Sequence, residues 1–332
     1  MDKYCNCKLV GLYNLGNTCF INSCIQILNN TYELHHILDK QPIQKLNYYS
    51  KLTIEWNSLR DLMWSDNGTV KPTRFLKTIQ YVSHKLDQPL FTGYSQNDIS
   101  EFLGFFLNCL HETYSRKVNV KVQYRNPDYD FCCKYLQDVY EKEFSEINNV
   151  FNGIYVNTIT EIDSNTVLSK SPEMFSTINL PVFANNRAAT TLDECFSLFH
   201  QKELLEKDNA WYNEKTKKHQ SVFKKTTIWR FPNVMIIVLK RFNHRNRKIQ
   251  HKIEFPLINL NLQKYSCENI PSFYDCFGIC NHSGNVNGGH YTSFSKNSQG
   301  KWHFYNDKEV QIVKDHSCMI SEQAYCLFYR KK

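Results

Sequence analysis

The chain has 332 residues, of which 42% are hydrophobic, 14% aromatic and 22% charged, and a formal net charge of +8. That balance supplies a sizeable core and excludes a disordered or fibrous chain, leaving one large domain or two small ones. The lack of an apolar run of about 18 residues excludes a membrane-spanning helix, and no signal-peptide pattern opens the sequence.

Thirteen cysteines, an odd number scattered through a long chain, read as free core thiols in a reducing intracellular setting, the cytosol or nucleus. They form no CxxC pair, so a zinc site of ordinary spacing has no ligands. Basic runs at 215–225 and 239–252 read as solvated faces rather than a nucleic-acid surface, since no recognition-module signature accompanies them.

In chain order, the first third is helical. "TCFINSCIQILNN" places Phe20, Ile21, Cys24, Ile25 and Leu28 on one face at helical spacing. "YSQNDISEFLGFFLNCLHETY" repeats the period with Ile99, Phe102, Phe106 and Leu110, and Ser95-x-x-Asp98 reads as its capping-box start. "NPDYD" (126–130) and the Lys-rich 215–225 read as loops. From about residue 150 short β-rich pieces take over, interrupted by the helical "TLDECFSLFHQKELL", and the end alternates strands with Gly/Asn turns. Helices first and sheet later predict an α+β fold rather than βαβ repeats.

Within "NLGNTC", Gly16, Asn17 and Thr18 form a loop with good N-cap residues before an amphipathic helix. Cys19 then falls in the first turn, where the positive helix end lowers a thiol's pKa, whereas Cys24 lies deeper among apolar neighbours. Position alone leaves Cys19 either a nucleophile or a buried hydrophobe, because acyl chemistry also needs a base and an oxyanion site. Far downstream, "NVNGGHYTSF" offers His290, with Gly288 and Gly289 keeping its approach free of side chains. "KWHFYNDKEV" adds Asn306 and Asp307, each of a type that accepts from an imidazole N–H.

Together these stretches resemble the ubiquitin-specific protease family. "GLYNLGNTCFINSCIQIL" is similar to its cysteine box, and Gln96-Asn97-Asp98-Ile99-Ser100-Glu101-Phe102 to its Q-Q-D-A-x-E-F motif. "PNVMIIVLKRF" looks like its P-x-x-L-x-x-x-L-K-R-F strand, and "YDCFGICNHSGNVNGGHYTSFSK", "WHFYNDKEV" and "AYCLFYRK" follow its histidine box. The likeness runs over residues 9–331 and implies one catalytic domain with a papain-like core shaped as a right hand: a thumb over about 9–145, fingers over about 146–230, and a palm over about 231–331 with finger strands interleaved.

The resemblance implies a deubiquitinase that hydrolyses the bond at the C-terminal glycine of ubiquitin, acting on ubiquitin and ubiquitinated proteins as a monomer. Cys19 takes the nucleophile position, His290 the base, Asn306 the third place with Asp307 in support, and Asn14 the oxyanion donor. Asp98, with Glu101 second, is expected to meet the arginines of the ubiquitin tail, Gly288 and Gly289 to form its channel, and His282 to stand as a wall or oxyanion-side residue. With a thiolate–imidazolium pair already formed, orientation by Asn306 matters more than charge. Two departures stand out. The finger stretches lack cysteine, so no bound zinc is expected, and Asn97 and Ile99 replace Gln and Ala. A catalytically inactive ubiquitin-binding scaffold, or a protease for another ubiquitin-like modifier, are the competing readings.

Overall fold

A computed structural model of the chain describes residues 8–332 apart from 44, 94, 122–125, 185, 186, 244 and 287. After β1 (Val10–Leu12) come the helices α1 (Cys19–Leu28), α2 (Tyr32–Lys40) and α3 (Tyr48–Ser65). Strand β2 (Gly68–Val70) precedes α4 (Thr73–Lys85), α5 (Ile99–Tyr114), α6 (Asp130–Glu143) and α7 (Glu146–Phe151). The first β pieces are β3 (Gly153–Glu161), β4 (Val167–Phe175), β5 (Thr177–Pro181), β6 (Phe183–Ala184) and β7 (Arg187–Ala188). Helix α8 (Leu192–Phe199) is followed by β8 (Glu203–Leu205), β9 (Trp211–Asn213), β10 (Lys218–Gln220) and β11 (Val222–Arg230). The chain ends with β12 (Val234–Lys240), β13 (Leu260–Asn261), β14 (Phe273–Asn285), β15 (Gly288–Lys296), β16 (Trp302–Asn306), β17 (Glu309–Ile312) and β18 (Ala324–Lys331). The α+β expectation holds. "NPDYD" is a short 3-10 turn leading into α6 rather than a loop, because Asn126 caps it and proline pre-sets its first residue.

The large sheet runs β17-β16-β15-β14-β18-β12-β5, with β13 beside β14, and a second sheet runs β4-β3-β11-β8. Strand β12, "VMIIVLK", explains the layering. Its first six residues are buried, and the strand period sends them to opposite sides. Val234, Ile236 and Val238 join the core under the helical lobe, while Met235, Ile237 and Leu239 join the core beneath the sheet with α8. A helix layer, a sheet and a further packed layer follow from that one alternation. The division along the chain is not sequential, since β5 and α8 lie within 146–230 yet pack on the large sheet.

Helix α1 departs from the amphipathic reading: all ten of its residues are buried. The polar side of its pattern faces protein instead of water. Asn22 donates to the Asp307 carboxylate at 2.8 Å and Gln26 to the Val10 carbonyl at 2.7 Å, so the nitrogen of each buried amide has an acceptor. Gly278 on β14 lets the helix approach closely, since a Cβ there would sit 2.4 Å from Ile27. Among the described residues no helix is long and apolar enough to cross a membrane, and no group of three His, Cys, Asp or Glu gathers as a metal site.

Candidate active site

The loop before α1 is organised by Asn14. Its Oδ1 accepts from the Gly16 and Thr18 backbone N–H groups, both at 3.1 Å, and from the Thr18 hydroxyl. Gly16 and Asn17 adopt left-handed backbone, with φ of 103° and 54°, which glycine and asparagine tolerate best. Thr18 occupies the N-cap position but its side chain does not cap; it bonds back to Leu15 and Asn14. The first-turn N–H groups of α1 are therefore not consumed by a cap.

Cys19 begins the helix at 2% exposure. The expected lowering of its pKa is overturned. Burial pushes the thiol above its ordinary value, and the nearby Asp307 carboxylate adds to the rise, while the N–H groups of Tyr291, Phe20 and Cys19 itself pull the other way. Desolvation wins because the helix is sealed beneath the sheet, so the pKa rises despite the place of the thiol at the helix head. The contact with the Tyr291 N–H sets the sulfur beside β15, one residue from His290.

His290 lies on β15 opposite Ser283 of β14. Its Nε2 stands 2.7 Å from Asn306 Oδ1 at the end of β16. An amide oxygen only accepts, so Nε2 carries the proton and Nδ1 is left basic. Asp307 makes no hydrogen bond to His290. Its carboxylate accepts from Asn14 Nδ2 at 3.1 Å and Asn22 Nδ2 at 2.8 Å, and its backbone carbonyl accepts from the Leu12 N–H at 2.8 Å. Asp307 thus bolts the β16–β17 hairpin to both ends of the Cys19 loop. Gly11 is required by this contact: a Cβ there would lie 2.1 Å from the Lys308 carbonyl oxygen.

On the other flank, Asp98 is the N-cap of α5, which corrects the expected Ser95 start. Its Oδ1 accepts from Ser100 N–H at 2.7 Å and Ser100 Oγ at 2.5 Å, and its Oδ2 from the Tyr325 hydroxyl at 2.5 Å. All three donors are neutral, so the charge of this half-buried carboxylate is solvated without being cancelled. Glu101, at the third helical position, is exposed; burial and the Asp98 charge raise its pKa, against the pull of the Asp98 N–H. Gly288 and Gly289 open β15 beside this helix start. The Gln96 amide grips Gly289 twice, donating to its carbonyl at 2.9 Å and accepting from its N–H at 2.5 Å. A Cβ on Gly289 would meet His282 Nε2 and the Ser283 carbonyl, each at 2.3 Å. His282 is the wall behind this strand, packed among Phe242, Tyr291 and Tyr325, and burial lowers its pKa to about 4.

The motif reading assigned no role to Asn22 or Gln96, two residues on which this geometry depends. A polar amide inside an apolar helix was the available signal for Asn22. Gln96 stood within a quoted motif, but only the fold shows that its partner is Gly289.

The assembled site pairs a buried thiol at a helix head with an oriented imidazole, free N–H donors and a glycine-lined approach, which suits acyl transfer through a thioester. A family profile described as "Ubiquitin carboxyl-terminal hydrolase" matches residues 10–329. Curated relatives include ubiquitin carboxyl-terminal hydrolase 2 of Bos taurus, 32% identical over 338 residues, which cover 97% of this chain and 55% of the relative. Ubiquitin carboxyl-terminal hydrolase 21 of Rattus norvegicus is 30% identical over 356 residues, covering 97% of this chain and 61% of the relative. The chain thus spans little more than half the length of these relatives. Among solved structures, the SAGA Ubp8/Sgf11/Sus1/Sgf73 DUB module bound to ubiquitin aldehyde matches with a TM-score of 0.71 at 25% identity, covering 98% of this chain and 70% of that one. A variant of the same module bound to monoubiquitin matches at 0.72 and 25%, covering 98% and 69%.

Proposed function

The chain belongs to the ubiquitin carboxyl-terminal hydrolase family, and from that membership we propose that it is a cysteine-type deubiquitinase cleaving isopeptide or peptide bonds at the C-terminal glycine of ubiquitin. The observation that carries the reading is the 2.7 Å bond from His290 Nε2 to Asn306, with the Cys19 sulfur against the next residue's N–H.

His290 Nδ1 removes the thiol proton as Cys19 Sγ attacks the glycine carbonyl carbon. General-base activation suits a thiol whose pKa is raised, in place of a standing ion pair. The tetrahedral oxyanion is held by the Cys19 N–H and by the second amide hydrogen of Asn14, the first being bonded to Asp307. Collapse expels the lysine amine, which takes the proton from His290 and leaves a thioester. Water, deprotonated by His290, then attacks the thioester and regenerates the thiol. Asn306 orients the ring without adding charge. The uncancelled carboxylate of Asp98, with exposed Glu101, would receive cationic side chains of the substrate's tail, and Gly288–Gly289 its side-chain-free end. The enzyme works as a monomer on ubiquitin and ubiquitinated proteins, without zinc or nucleic acid, in the cytosol or nucleus.

Ubiquitin carrying a C-terminal electrophile tests the proposal. A covalent adduct mapped to Cys19, absent in Cys19→Ala, is expected. Folded protein that binds ubiquitin and forms no adduct would establish a scaffold instead, and preference for another modifier's probe would reassign the substrate.

A further inference from the structure

A cleft of about 670 Å³ opens between the β1–β2 ribbon and the β16–β17 edge of the large sheet, on residues the proposed chemistry does not use. Strand alternation decides its lining. Lys308, Val310 and Ile312 face it while Glu309 takes the opposite face of β17, and Lys301 and His303 face it from the neighbouring strand. Lys8 closes the far side. Among the described residues no carboxylate lines the cleft, and its three exposed ammonium groups have no acidic partner there. Asp307, the neighbour of Lys308, turns its carboxylate away to Asn14 and Asn22. His303 is 3% exposed, and its Nδ1 has no hydrogen-bond partner.

We propose that this cleft binds a phosphorylated peptide segment in extended form. Three lysines around an acid-free cleft favour phosphate, with its two negative charges and strong acceptor oxygens. Leu9, Val310 and Ile312 add an apolar strip that a free inorganic anion would not use. Lys308, Val310 and Ile312 follow one another along β17 and the turn before it, so an extended chain laid over them meets charge and apolar surface in turn. A longer nucleic acid gains nothing from so local a cleft. An occupant would touch Lys8 and Lys308 together, and so clamp the ribbon to the hairpin that ends in Asn306 and Asp307.

The test is titration of a fluorescent peptide with two phosphoserines between valines into the whole chain, followed by polarisation. Binding is expected, at least tenfold tighter than for the unphosphorylated peptide, weakening with salt and competed by tripolyphosphate. Lys301→Glu/Lys308→Glu should reduce it tenfold or more while keeping the circular dichroism spectrum. Lys215→Glu/Lys225→Glu, the same charge change at the Lys-rich 215–225 stretch, should leave it unchanged. Equal loss in both variants, equal binding of the unphosphorylated peptide, or capture of single-stranded RNA or tripolyphosphate without the phosphopeptide would each overturn the proposal. These readouts need no ubiquitin cleavage, so the two proposals fail independently.

Discussion

Around the head of α1, at its contacts with the β16–β17 hairpin and the start of β15, position is fixed by side-chain amides and close glycines. In the sheet β4-β3-β11-β8 the strand ladder does most of this, with a small side-chain core beside it. The junction carries Asn14, Asn22, Gln96 and Asp307 in mutual or backbone hydrogen bonds, and Gly11 and Gly289 where no Cβ fits. The second sheet rests on a small core of Leu136, Tyr140 and Ile154, tied by Arg230 to Tyr140 and Asn149, and leaves Val167 and Leu204 exposed. The Asn22–Asp307 contact, with its donor buried, has one good geometry, whereas an exposed ladder tolerates substitution on its outer face. The junction is therefore suited to chemistry and the sheet to contact.

The largest break falls at the head of α1. Cys19→Ala should abolish cleavage of a ubiquitin fusion while retaining ubiquitin binding. Cys24→Ala, five positions along the same buried helix, should leave turnover near normal and cost about 1–2 kcal/mol of stability by denaturant titration. Equal loss of turnover in both would erase the distinction between them.

Acid should act on the junction next. His282 has its pKa lowered from 6.5 to about 4, first by burial and then by the Lys248 charge, with Asp98 opposing. A group whose folded pKa is depressed binds fewer protons folded than unfolded across that window. Its contribution is therefore complete above pH 6.5 and falls away as pH drops toward 4, by up to roughly 3 kcal/mol. His282→Gln should flatten that part of the stability–pH curve; an unchanged slope would show that other groups control it.

Gly11→Ala tests the close approach. Its methyl must displace the Lys308 carbonyl and with it the turn after Asn306, so kcat should fall roughly a hundredfold with the fold retained. Asn306→Ala should follow at roughly ten- to hundredfold in kcat, with a smaller fall for Asp307→Asn. Removing the Asp307 charge should also move the pH profile of Cys19 alkylation to lower pH, because that carboxylate raises the thiol's pKa. A larger kcat loss at Asp307 than at Asn306 would transfer the orienting role.

The candidate catalytic residues were marked by the likeness of short motifs to a family, motifs whose local spacing is fixed by short turns; residue type alone left Cys19 undecided. The glycines before His290 and the turn before Cys19 depend on nearest neighbours, so a string of letters carries them. The sign of the Cys19 shift did not follow, because it depends on how far α1 sinks beneath the sheet. Periodicity shows that a helix has a polar side, but not that the side of Asn22 and Gln26 meets protein instead of water. The capping role of Asp98 was misplaced by three residues because Ser95-x-x-Asp98 and Asp98-x-x-Glu101 fit the same pattern, and only the backbone chooses between them.

The smallest effects belong to the second sheet. Val167 and Leu204, 49% and 43% exposed, have room to meet a protein partner. Val167→Ala and Leu204→Ala should raise KM for ubiquitin substrates roughly two- to fivefold at constant kcat, as removal of uniform binding does. Backbone pairing of β11 with β3 runs from Val222 to Arg230, so chelator treatment should change neither Tm nor KM. One equivalent of tightly held zinc, or a fall in kcat from either substitution, would mean that this sheet is coupled to the junction and that the two regions are not separable.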